Sequence, residues 1–386
     1  MKKIIASLSL LAASLSFCHA QNWQVDSFTV DGKNRKFKTY HANPTQQNMS
    51  VVLILHGLGG TMNDVDITNL KEIADTANLL LVSPEALDYT HPIIGSVGNC
   101  WNSGVVIAGT IVGDVPLNPT VDDVKFLTQL LDSVKLNYDV DPTRIYVAGF
   151  SNGGFMTQRL LCEHPELFRA AASLSGTKAL TLNNCVQNVP VPIAHFHGTN
   201  DEVVDHLGNF HLMGFLFPIG LSAHDLVDYW REINDAELLM SEELWGDPTA
   251  YNYIKHYLYG GSKRVEYFEI VNGAHQWYSY ANTSDEFDLG TETWHFFLRA
   301  DHNGLTGIRN QKKAVVGIYP NPAGNQINIS SERKYKELRI INLSGAEVIR
   351  IPFTQSVDVS ALSPGFYLLQ LKDENGSTTI AKFAKN

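Results

Sequence analysis

The sequence predicts an α/β fold with a mainly parallel central sheet, followed by a small all-β sandwich. Over about 280 residues, short aliphatic runs alternate with segments whose apolar residues recur every three or four positions. This alternation is typical of parallel strands connected by helices. After residue 314 the period changes to two, which is typical of short antiparallel strands. We therefore predict two domains.

The composition supports folded domains and argues against one class of partner. Of the 386 residues, 44% are hydrophobic and 18% charged, so that the chain can bury a core in each domain. The net charge of −11 and the lack of a basic block argue against a general nucleic-acid binder. Residues 307–386 carry 11 basic and 6 acidic residues, whereas the rest carries 18 basic and 34 acidic residues. This shift indicates a domain boundary near Gly307.

Residues 1–20 are predicted to be a signal peptide. Two lysines precede a mostly apolar run, and Cys18-His19-Ala20 is typical of a cleavage site, so that the mature chain begins at Gln21. A lipoprotein signal at Cys18 is the weaker alternative, because Phe17 stands where a small residue is needed. No later run is long and apolar enough to span a bilayer, and we expect no transmembrane segment in the mature chain.

Export would place three cysteines in an oxidising compartment. They are Cys100, Cys162 and Cys185, an odd number that favours one bridge and one free thiol. We favour pairing Cys162 with Cys185, although the sequence alone does not decide between the pairings.

The first domain is predicted to cover residues 21–303 and to begin with a hairpin at 23–41 that turns at Asp31-Gly32-Lys33-Asn34. Strands are then predicted at 51–55, 79–82, 144–148, 170–174, 191–196 and 265–271. Helices are predicted at 68–78, 121–136, 152–163, 223–233 and 291–298. Residues 207–262 are aromatic-rich and irregular, and the segment is either a cap over a site or the flank of a crossover helix.

The second domain follows a polar, glycine-containing linker at 304–314 and covers residues 315–386. Its alternating strands are predicted at 315–318, 326–329, 337–343, 347–351, 365–371 and 379–383. Turn sequences such as Ser344-Gly345 separate these strands, as expected for a β-sandwich.

Gly149-Phe150-Ser151-Asn152-Gly153 matches the pattern Gly-x-Ser-x-Gly. The pattern alone is weak evidence for a catalytic serine. A predicted strand precedes it and a predicted helix follows it, however, and this is the context of a nucleophile elbow. A plain turn between the two elements is the alternative. We predict that Ser151 is a catalytic nucleophile.

A serine nucleophile needs a histidine base, and that base needs an orienting carboxylate. Asp201 and His275 each follow a predicted strand, in the chain order that this arrangement requires. Both therefore lie at carboxyl ends of strands, where open α/β sheets place their sites. A helix-capping role for Asp201 is the alternative, and Glu202 and Asp205 are neighbouring carboxylates.

The other histidines fit this role less well. His195 and His197 are expected to pack in or beside a strand. Together with Asp201 and His206 they suggest a metal cluster, but their spacing matches no recognised ligand pattern, and we predict no metal site.

An acyl-transfer site also needs backbone N–H donors for the oxyanion. We predict that Asn152 supplies one donor and that Leu58, in the loop His56-Gly57-Leu58-Gly59-Gly60, supplies the other. The same glycine-rich loop lacks the patterns of nucleotide-binding loops, which argues against phosphate binding.

Several of these motifs together resemble one family. They are Leu55 to Gly60, Cys100-Trp101-Asn102, Gly149 to Gly154, His197 to Asp201 and His275-Gln276-Trp277. This set is similar to the secreted polyhydroxybutyrate depolymerases and feruloyl esterases, which overlap carbohydrate esterase family 1 of the α/β-hydrolases. The resemblance implies a triad of Ser151, His275 and Asp201, and it places Trp101 and Trp277 near the acyl pocket. A role as core aromatics is the alternative for both tryptophans.

The C-terminal segment resembles a second family. Tyr319-Pro320-Asn321-Pro322, Ile341-Asn342-Leu343-Ser344-Gly345 and the run from Val357 to Tyr367 are similar to the type A sorting domain of type IX secretion. The resemblance implies recognition of residues 315–386 by secretion machinery. A small carbohydrate-binding β-sandwich is the alternative.

These observations predict a secreted or cell-surface serine esterase that passes through the periplasm and needs no cofactor. Its expected substrate is a feruloyl or acetyl ester of plant cell-wall polysaccharide. A polyhydroxyalkanoate depolymerase or short-chain esterase is the alternative, and a peptidase is a more distant one. A non-catalytic surface binding protein on the same scaffold is the alternative from another class.

Overall fold

The computed structural model describes residues 23–110, 112–182, 185, 189–244, 253–278, 287–300, 317–331, 334–342, 347–373 and 378–386. The predicted signal peptide at 1–20 and the predicted linker at 304–314 lie outside these residues. Two compact units make up the chain, Met1–Thr306 and Gly307–Asn386.

Within the described residues of the first unit, the strands form one large sheet and three separate hairpins. In chain order the strands are β1 (Gln24–Val30), β2 (Lys33–Tyr40), β3 (Met49–Leu55), β4 (Leu79–Pro84), β5 (Asp88–His91), β6 (Gly95–Asn99), β7 (Val106–Thr110), β8 (Gly113–Pro116), β9 (Val140–Phe150), β10 (Ala170–Leu174), β11 (Ile193–Gly198), β12 (Asn209–Leu212), β13 (Phe215–Pro218), β14 (Glu237–Leu244), β15 (Ile254–Gly260) and β16 (Val265–Ile270). Ten of them form the large sheet in the order β1-β2-β4-β3-β9-β10-β11-β16-β15-β14, and β5-β6, β7-β8 and β12-β13 are the hairpins.

The helices of this unit are α1 (Leu70–Ala74), α2 (Asp123–Asn137), α3 (Asn152–Glu163), α4 (Ala223–Ile233) and α5 (Leu289–Arg299). Side-chain oxygens cap three of them, since Asp122, Ser222 and Asp288 accept hydrogen bonds from backbone N–H groups of the first turn. Two short 3₁₀ helices lie at Met62–Ile67 and Pro165–Leu167. Among the described residues, no helix combines the length and the apolar character that crossing a membrane requires.

Helices cover both faces of the sheet. In β3, where every residue is buried, Val51, Leu53 and Leu55 join one apolar core, whereas Val52 and Ile54 join the other. The first core includes apolar residues of α2, α3 and α4, and the second includes residues of α1 and α5. The central strands from β4 to β16 pair in parallel. The prediction of an α/β fold with a mainly parallel sheet is therefore confirmed.

Both ends of the sheet are antiparallel. The predicted hairpin at 23–41 is confirmed as β1 and β2, and positive φ angles of 48° at Asp31 and 75° at Gly32 form its turn. At the other end, β15 and β14 extend the sheet beyond β16. The segment 207–262, predicted to be irregular, thus supplies the hairpin β12-β13, helix α4 and two edge strands.

One predicted helix is much shorter in the structure. The helix predicted at 68–78 is reduced to the five residues of α1. Asn69 has a φ angle of 58°, and this left-handed backbone prevents the helix from starting earlier.

The second unit is all-β, as predicted. Its strands are β17 (Gly317–Tyr319), β18 (Gln326–Ser330), β19 (Tyr335–Asn342), β20 (Glu347–Pro352), β21 (Ser356–Asp358), β22 (Gly365–Asp373) and β23 (Thr378–Lys385). They form the antiparallel sheets β17-β18-β21 and β20-β19-β22-β23. Ile327 and Val357 from the first sheet share one buried core with Leu338, Leu369 and Phe383 from the second. The two sheets therefore pack on one another.

Candidate active site

Ser151 stands at the sharp turn between β9 and α3. Its φ and ψ angles of 54° and −119° are unusual for a residue with a side chain, and its N–H donates to Leu174 O at 2.8 Å. A Cβ atom on Gly149 would collide with the backbone of Gly153, and one on Gly153 would collide with the backbone of Leu55. Both glycines are therefore needed for the close approach of helix and strands. This is the geometry of a nucleophile elbow.

The structure brings the three residues of the predicted triad together. His275 Nε2 lies 3.0 Å from Ser151 Oγ, and His275 Nδ1 lies 2.7 Å from Asp201 Oδ2. Asp201 follows β11 and His275 follows β16, two adjacent parallel strands. Ser151 follows β9, so that all three side chains meet at the carboxyl edge of the sheet.

Backbone hydrogen bonds tie the loop of Asp201 to the loop of His275. Thr199 N–H donates to Ile270 O and Asn200 N–H donates to Gly273 O, each at 2.9 Å. The ring of Phe150 lies against the imidazole of His275, with centroids 4.9 Å apart. The His275 ring is thus held between Asp201 and Ser151.

The hydrogen-bond directions follow from the chemistry of the partners. An ionised carboxylate only accepts hydrogen bonds, so His275 Nδ1 carries the proton and Nε2 is free to accept the Ser151 hydroxyl proton. The other Asp201 oxygen, Oδ1, accepts from the N–H groups of Val203 and Val204 at 3.0 Å each. Burial raises the pKa of Asp201, but the hydrogen bond and charge of His275, with the contributions of His197 and Val203, outweigh burial and lower it.

The predicted oxyanion donors face the same cleft as Ser151. Leu58 and Asn152 line the cleft beside Ser151. Among the described residues, neither N–H group has a hydrogen-bond acceptor in the protein. A Cβ atom on Gly57 would lie 3.4 Å from Ser151 Cβ, which shows how closely this loop approaches the elbow. The roles of Leu58 and Asn152 as oxyanion donors remain predictions.

A buried network supports these donors. The Asn152 carboxamide oxygen accepts the Trp101 N–H at 2.7 Å, and the Trp101 indole N–H donates to His56 O at 2.9 Å. His56 Nδ1 donates to Gly57 O at 2.7 Å, and its Nε2 accepts the Ala86 N–H at 3.0 Å. Burial lowers the pKa of His56, which keeps its ring neutral as these two bonds require.

The two tryptophans predicted to lie near the acyl pocket are both buried. Trp101 is 0% exposed and Trp277 is 5% exposed. Neither belongs to the described residues that line the cleft. Their positions favour the alternative of core aromatics, and Trp101 also positions the Asn152 side chain.

The cleft at Ser151 is lined mostly by apolar side chains. Ser151 and Asn152 are the polar residues among the described lining, and the walls include Leu58, Val105, Ile107, Phe155, Val204 and Ile219. Sequence reasoning missed the wall that contains Val105 and Ile107, which belongs to the β5 to β8 insertion. Five glycines of this insertion have positive φ angles, and such a glycine-rich stretch was a sign of tight hairpins.

The cysteines follow the favoured pairing. Cys162, in α3, forms a disulfide with Cys185, and their Cα atoms are 4.7 Å apart. The Cys100 thiol is free and buried. Burial, with a smaller contribution from Asp123, raises its pKa to about 12, so that the thiol stays protonated.

His195 and His197 are both buried in β11, and His197 contacts the Asp201 loop. His197 Nε2 donates to Val204 O at 2.9 Å and lies 3.6 Å from Asp201 Oδ2. Burial lowers the pKa of both rings. With both rings neutral, His195 Nε2 donates to His197 Nδ1, and the Ser173 hydroxyl donates to His195 Nδ1 at 2.9 Å. His197 is therefore a support for the Asp201 loop.

The fold and this site together define an α/β-hydrolase with a Ser-His-Asp arrangement. Residues 41–213 match the model of the phospholipase/carboxylesterase family, and residues 317–386 match the secretion system C-terminal sorting domain. Each match covers less than half of the chain, and together they confirm the two resemblances predicted from its motifs.

Three curated relatives are identical to this chain at about a quarter of the aligned positions. A bifunctional acetylxylan esterase/xylanase of Neocallimastix patriciarum is 27% identical over 58% of this chain and 30% of its own length. Feruloyl esterase B of Neurospora crassa is 27% identical over 46% of this chain and 55% of its own. Poly(3-hydroxyalkanoate) depolymerase C of Paucimonas lemoignei is 26% identical over 45% and 38%. The chain therefore spans between about a third and about half of the length of these relatives.

Proposed function

We propose that the chain is a secreted serine esterase that cleaves feruloyl or acetyl esters of plant cell-wall polysaccharide. The observation that carries this proposal is the hydrogen-bonded series Asp201–His275–Ser151, whose serine lines an apolar cleft. The matched family and the named activities of its relatives support the same reaction class.

The first half of the reaction forms an acyl-enzyme. Ser151 Oγ attacks the ester carbonyl carbon while His275 Nε2 takes the hydroxyl proton. Asp201 stabilises the imidazolium that forms. The carbonyl oxygen becomes an oxyanion, and the N–H groups of Leu58 and Asn152 donate to it. The tetrahedral intermediate collapses, its C–O bond to the alcohol breaks, and His275 returns the proton to the leaving alcohol.

The second half releases the acid. His275 Nε2 removes a proton from a water molecule, and the water oxygen attacks the acyl carbon. When the second tetrahedral intermediate collapses, the bond to Ser151 Oγ breaks and His275 reprotonates the serine. No cofactor takes part in these steps.

The apolar lining of the cleft supports an aromatic acyl group over acetyl. An acetyl group would leave most of that apolar wall in contact with water. The feruloyl ring and its propenoyl chain would instead cover Val105, Ile107 and Phe155.

The test is ferulate release from methyl ferulate by the chain that begins at Gln21. We expect release by this protein, and a fall in kcat of about 10⁶-fold in Ser151→Ala, because the nucleophile is removed. Thr157→Ser serves as a matched control in the same helix, since its hydroxyl remains and bonds Gly153 O. A Ser151→Ala variant that retains activity would contradict the assignment of the nucleophile.

A polyhydroxyalkanoate depolymerase or a short-chain esterase is the second candidate. The similarity to a named poly(3-hydroxyalkanoate) depolymerase favours it, and aliphatic hydroxyalkanoyl units would also fit an apolar cleft. Activity on polyhydroxybutyrate or p-nitrophenyl butyrate without ferulate release would favour this candidate. Acetate release from acetylated xylan alone would favour the acetyl ester.

Localisation follows from the C-terminal domain. The match of residues 317–386 indicates type IX secretion and hence a secreted or cell-surface protein. We propose that the signal peptide at 1–20 takes the chain into the periplasm, and that the secretion machinery then recognises the C-terminal domain. Deletion of residues 315–386 should leave the esterase domain in the periplasm of its own host, whereas export of the shortened chain would contradict the proposal.

A further inference from the structure

Three side chains that the proposed reaction does not use meet beside the loop of Asp201. They are His206 in that loop, His224 at the second position of α4 and Glu269 in β16. One potential ligand atom of each lies within 4.8 Å of the other two. The three residues come from three separate elements, so their meeting depends on the tertiary fold.

The arrangement of the two rings suits binding of a single ion. The ring centroids of His206 and His224 are 5.0 Å apart, and the ring planes are at 80°. Two imidazoles bound to one zinc ion at about 2 Å, with a tetrahedral angle between them, have centroids about 5 Å apart. His206 and Glu269 are half-buried, whereas His224 is exposed.

The neighbours of the cluster resemble the outer contacts that orient metal ligands in proteins. The Tyr267 hydroxyl hydrogen-bonds to His206 Nε2 at 2.5 Å. The Tyr257 hydroxyl donates to Glu269 Oε2 at 3.2 Å, and Lys255 Nζ lies 3.7 Å from the same oxygen. The side chain of Lys255 is 36% exposed, so its ammonium group can turn to water when an ion neutralises Glu269.

We propose that His206, His224 and Glu269 bind a divalent transition-metal ion, with Zn²⁺ as the expected ion. Two imidazoles and one carboxylate are a ligand set that zinc accepts, with water completing the coordination. The prediction of no metal site considered His195, His197, Asp201 and His206. The ring nitrogens of His195 and His197 are engaged in the buried network described above, and Asp201 is bonded to His275. Of those four residues only His206 belongs to the present cluster, in which His224 and Glu269 join it.

The position of the cluster indicates what the ion does. His206 lies five residues after Asp201, and Glu269 lies six residues before His275. An ion bound to both would link the two segments that carry the Asp–His pair, and His224 would attach them to α4. Such an ion stabilises the fold around the site and takes no part in the proposed chemistry. The inference stands whether or not the ester substrate is the proposed one.

The test uses the chain from Gln21 to Asn386 without a histidine tag, after removal of metals by a chelator. ZnCl₂ is titrated in by calorimetry, and the melting temperature is measured over the same range of concentrations. We expect one zinc ion per chain and a melting temperature that rises with zinc concentration. His224→Ala and Glu269→Gln should each weaken binding by at least about tenfold and remove the rise in melting temperature.

The matched control is His211→Ala. His211 is an exposed histidine on the neighbouring strand β12, and it pairs with Asp205 at 3.0 Å rather than with the cluster. This variant should bind zinc as the parent chain does. The proposal is overturned if the parent chain binds no zinc, or if His224→Ala and Glu269→Gln bind zinc as strongly as the parent. It is also overturned if His211→Ala loses binding as fully as the two ligand variants.

Discussion

Two buried carboxylates of this chain each hold a histidine, yet only one of these histidines can act as a base. Asp201 binds Nδ1 of His275, and the other ring nitrogen faces the Ser151 hydroxyl. Glu266 binds Nε2 of His256 at 3.0 Å, and the other nitrogen of that ring faces a second carboxylate, Glu242, at 3.3 Å.

The second contact of each ring decides its charge. Because carboxylates only accept hydrogen bonds, both nitrogens of His256 must carry protons. Burial lowers the pKa of His256, but the hydrogen bonds to Glu242 and Glu266 outweigh burial and raise it. His256 is therefore a cation without a basic nitrogen, whereas His275 keeps one.

The groups that surround the two carboxylates also differ. Arg264 and Arg299 both lie 2.9 Å from oxygens of Glu266, so that Glu266 lies in a buried ionic cluster near the amino end of β16. Burial raises the pKa of Glu266, but His256 and Arg299 hold it far below its usual range. Asp201 binds backbone N–H groups in place of arginines. A histidine–carboxylate pair therefore indicates a catalytic site only when the group that contacts the second ring nitrogen of the histidine is known.

The largest expected effect is on activity, and it distinguishes the Asp201–His275 pair from the Glu266–His256 pair. Asp201→Asn should lower kcat by about 10⁴-fold, because an amide no longer fixes the required protonation state of His275. The measurement is ester hydrolysis at saturating substrate, with circular dichroism to show that the variant is folded. Glu266→Gln is the control and should keep the parent kcat below its melting temperature. An equal loss of kcat in both variants would contradict the conclusion that only the Asp201–His275 pair is catalytic.

The second prediction separates the pairs by stability. Glu266→Gln should lower the free energy of unfolding by about 3–5 kcal/mol, because it leaves buried cations without their counter-charge. Urea denaturation followed by tryptophan fluorescence measures this loss. A variant as stable as the parent chain would show that the cluster contributes no net stability.

The third prediction concerns acid pH. A carboxylate whose pKa is lower in the folded state than in the unfolded state stabilises the fold above its unfolded pKa. It loses this contribution as the pH falls toward the folded value. Asp201 and Glu266 both behave in this way. The stability difference between the parent chain and Glu266→Gln should therefore shrink below about pH 4, as urea midpoints between pH 3 and pH 7 would measure. A stability difference that stays constant from pH 3 to pH 7 would contradict the lowered pKa of Glu266 in the folded state.

The smallest expected effect concerns the support of Asp201. His197→Ala removes the bond to Val204 O and should lower kcat by about tenfold, the equivalent of one buried hydrogen bond. His197→Gln can restore an N–H donor and should recover part of this loss. The pH profile of kcat distinguishes a positioning role from general destabilisation, because only the former shifts the acid limb. An unchanged profile and an unchanged kcat would exclude a positioning role for His197.

The central elements were predictable because their requirements are local. The strand β10 and the helix α4 coincide with the predicted residues 170–174 and 223–233. The elbow was predictable for the same reason, since strand, glycines, serine and helix are contiguous. Chain order then led to Asp201 and His275, although only the parallel pairing of β11 with β16 brings their loops together.

The remaining features depend on partners that are distant in sequence. Strand β14 contains Glu242 and Glu243, and its polar pattern gave no reason to place it in the sheet beside β15. Arg299 and Glu266 meet across 33 residues of chain. The cluster of His206, His224 and Glu269 likewise arises only when α4 and β16 pack near the Asp201 loop. Local periodicity carries no information about such contacts.

The buried thiol of Cys100 has a consequence for how the protein acquires its disulfide. Exchange between thiols and disulfides requires a thiolate that can reach a sulfur atom. In the folded chain Cys100 is fully buried and protonated, so it cannot attack the bond between Cys162 and Cys185. Wrong pairings can therefore form only while the chain is unfolded. The timing of oxidation relative to folding thus decides how much of the exported protein carries the native bridge.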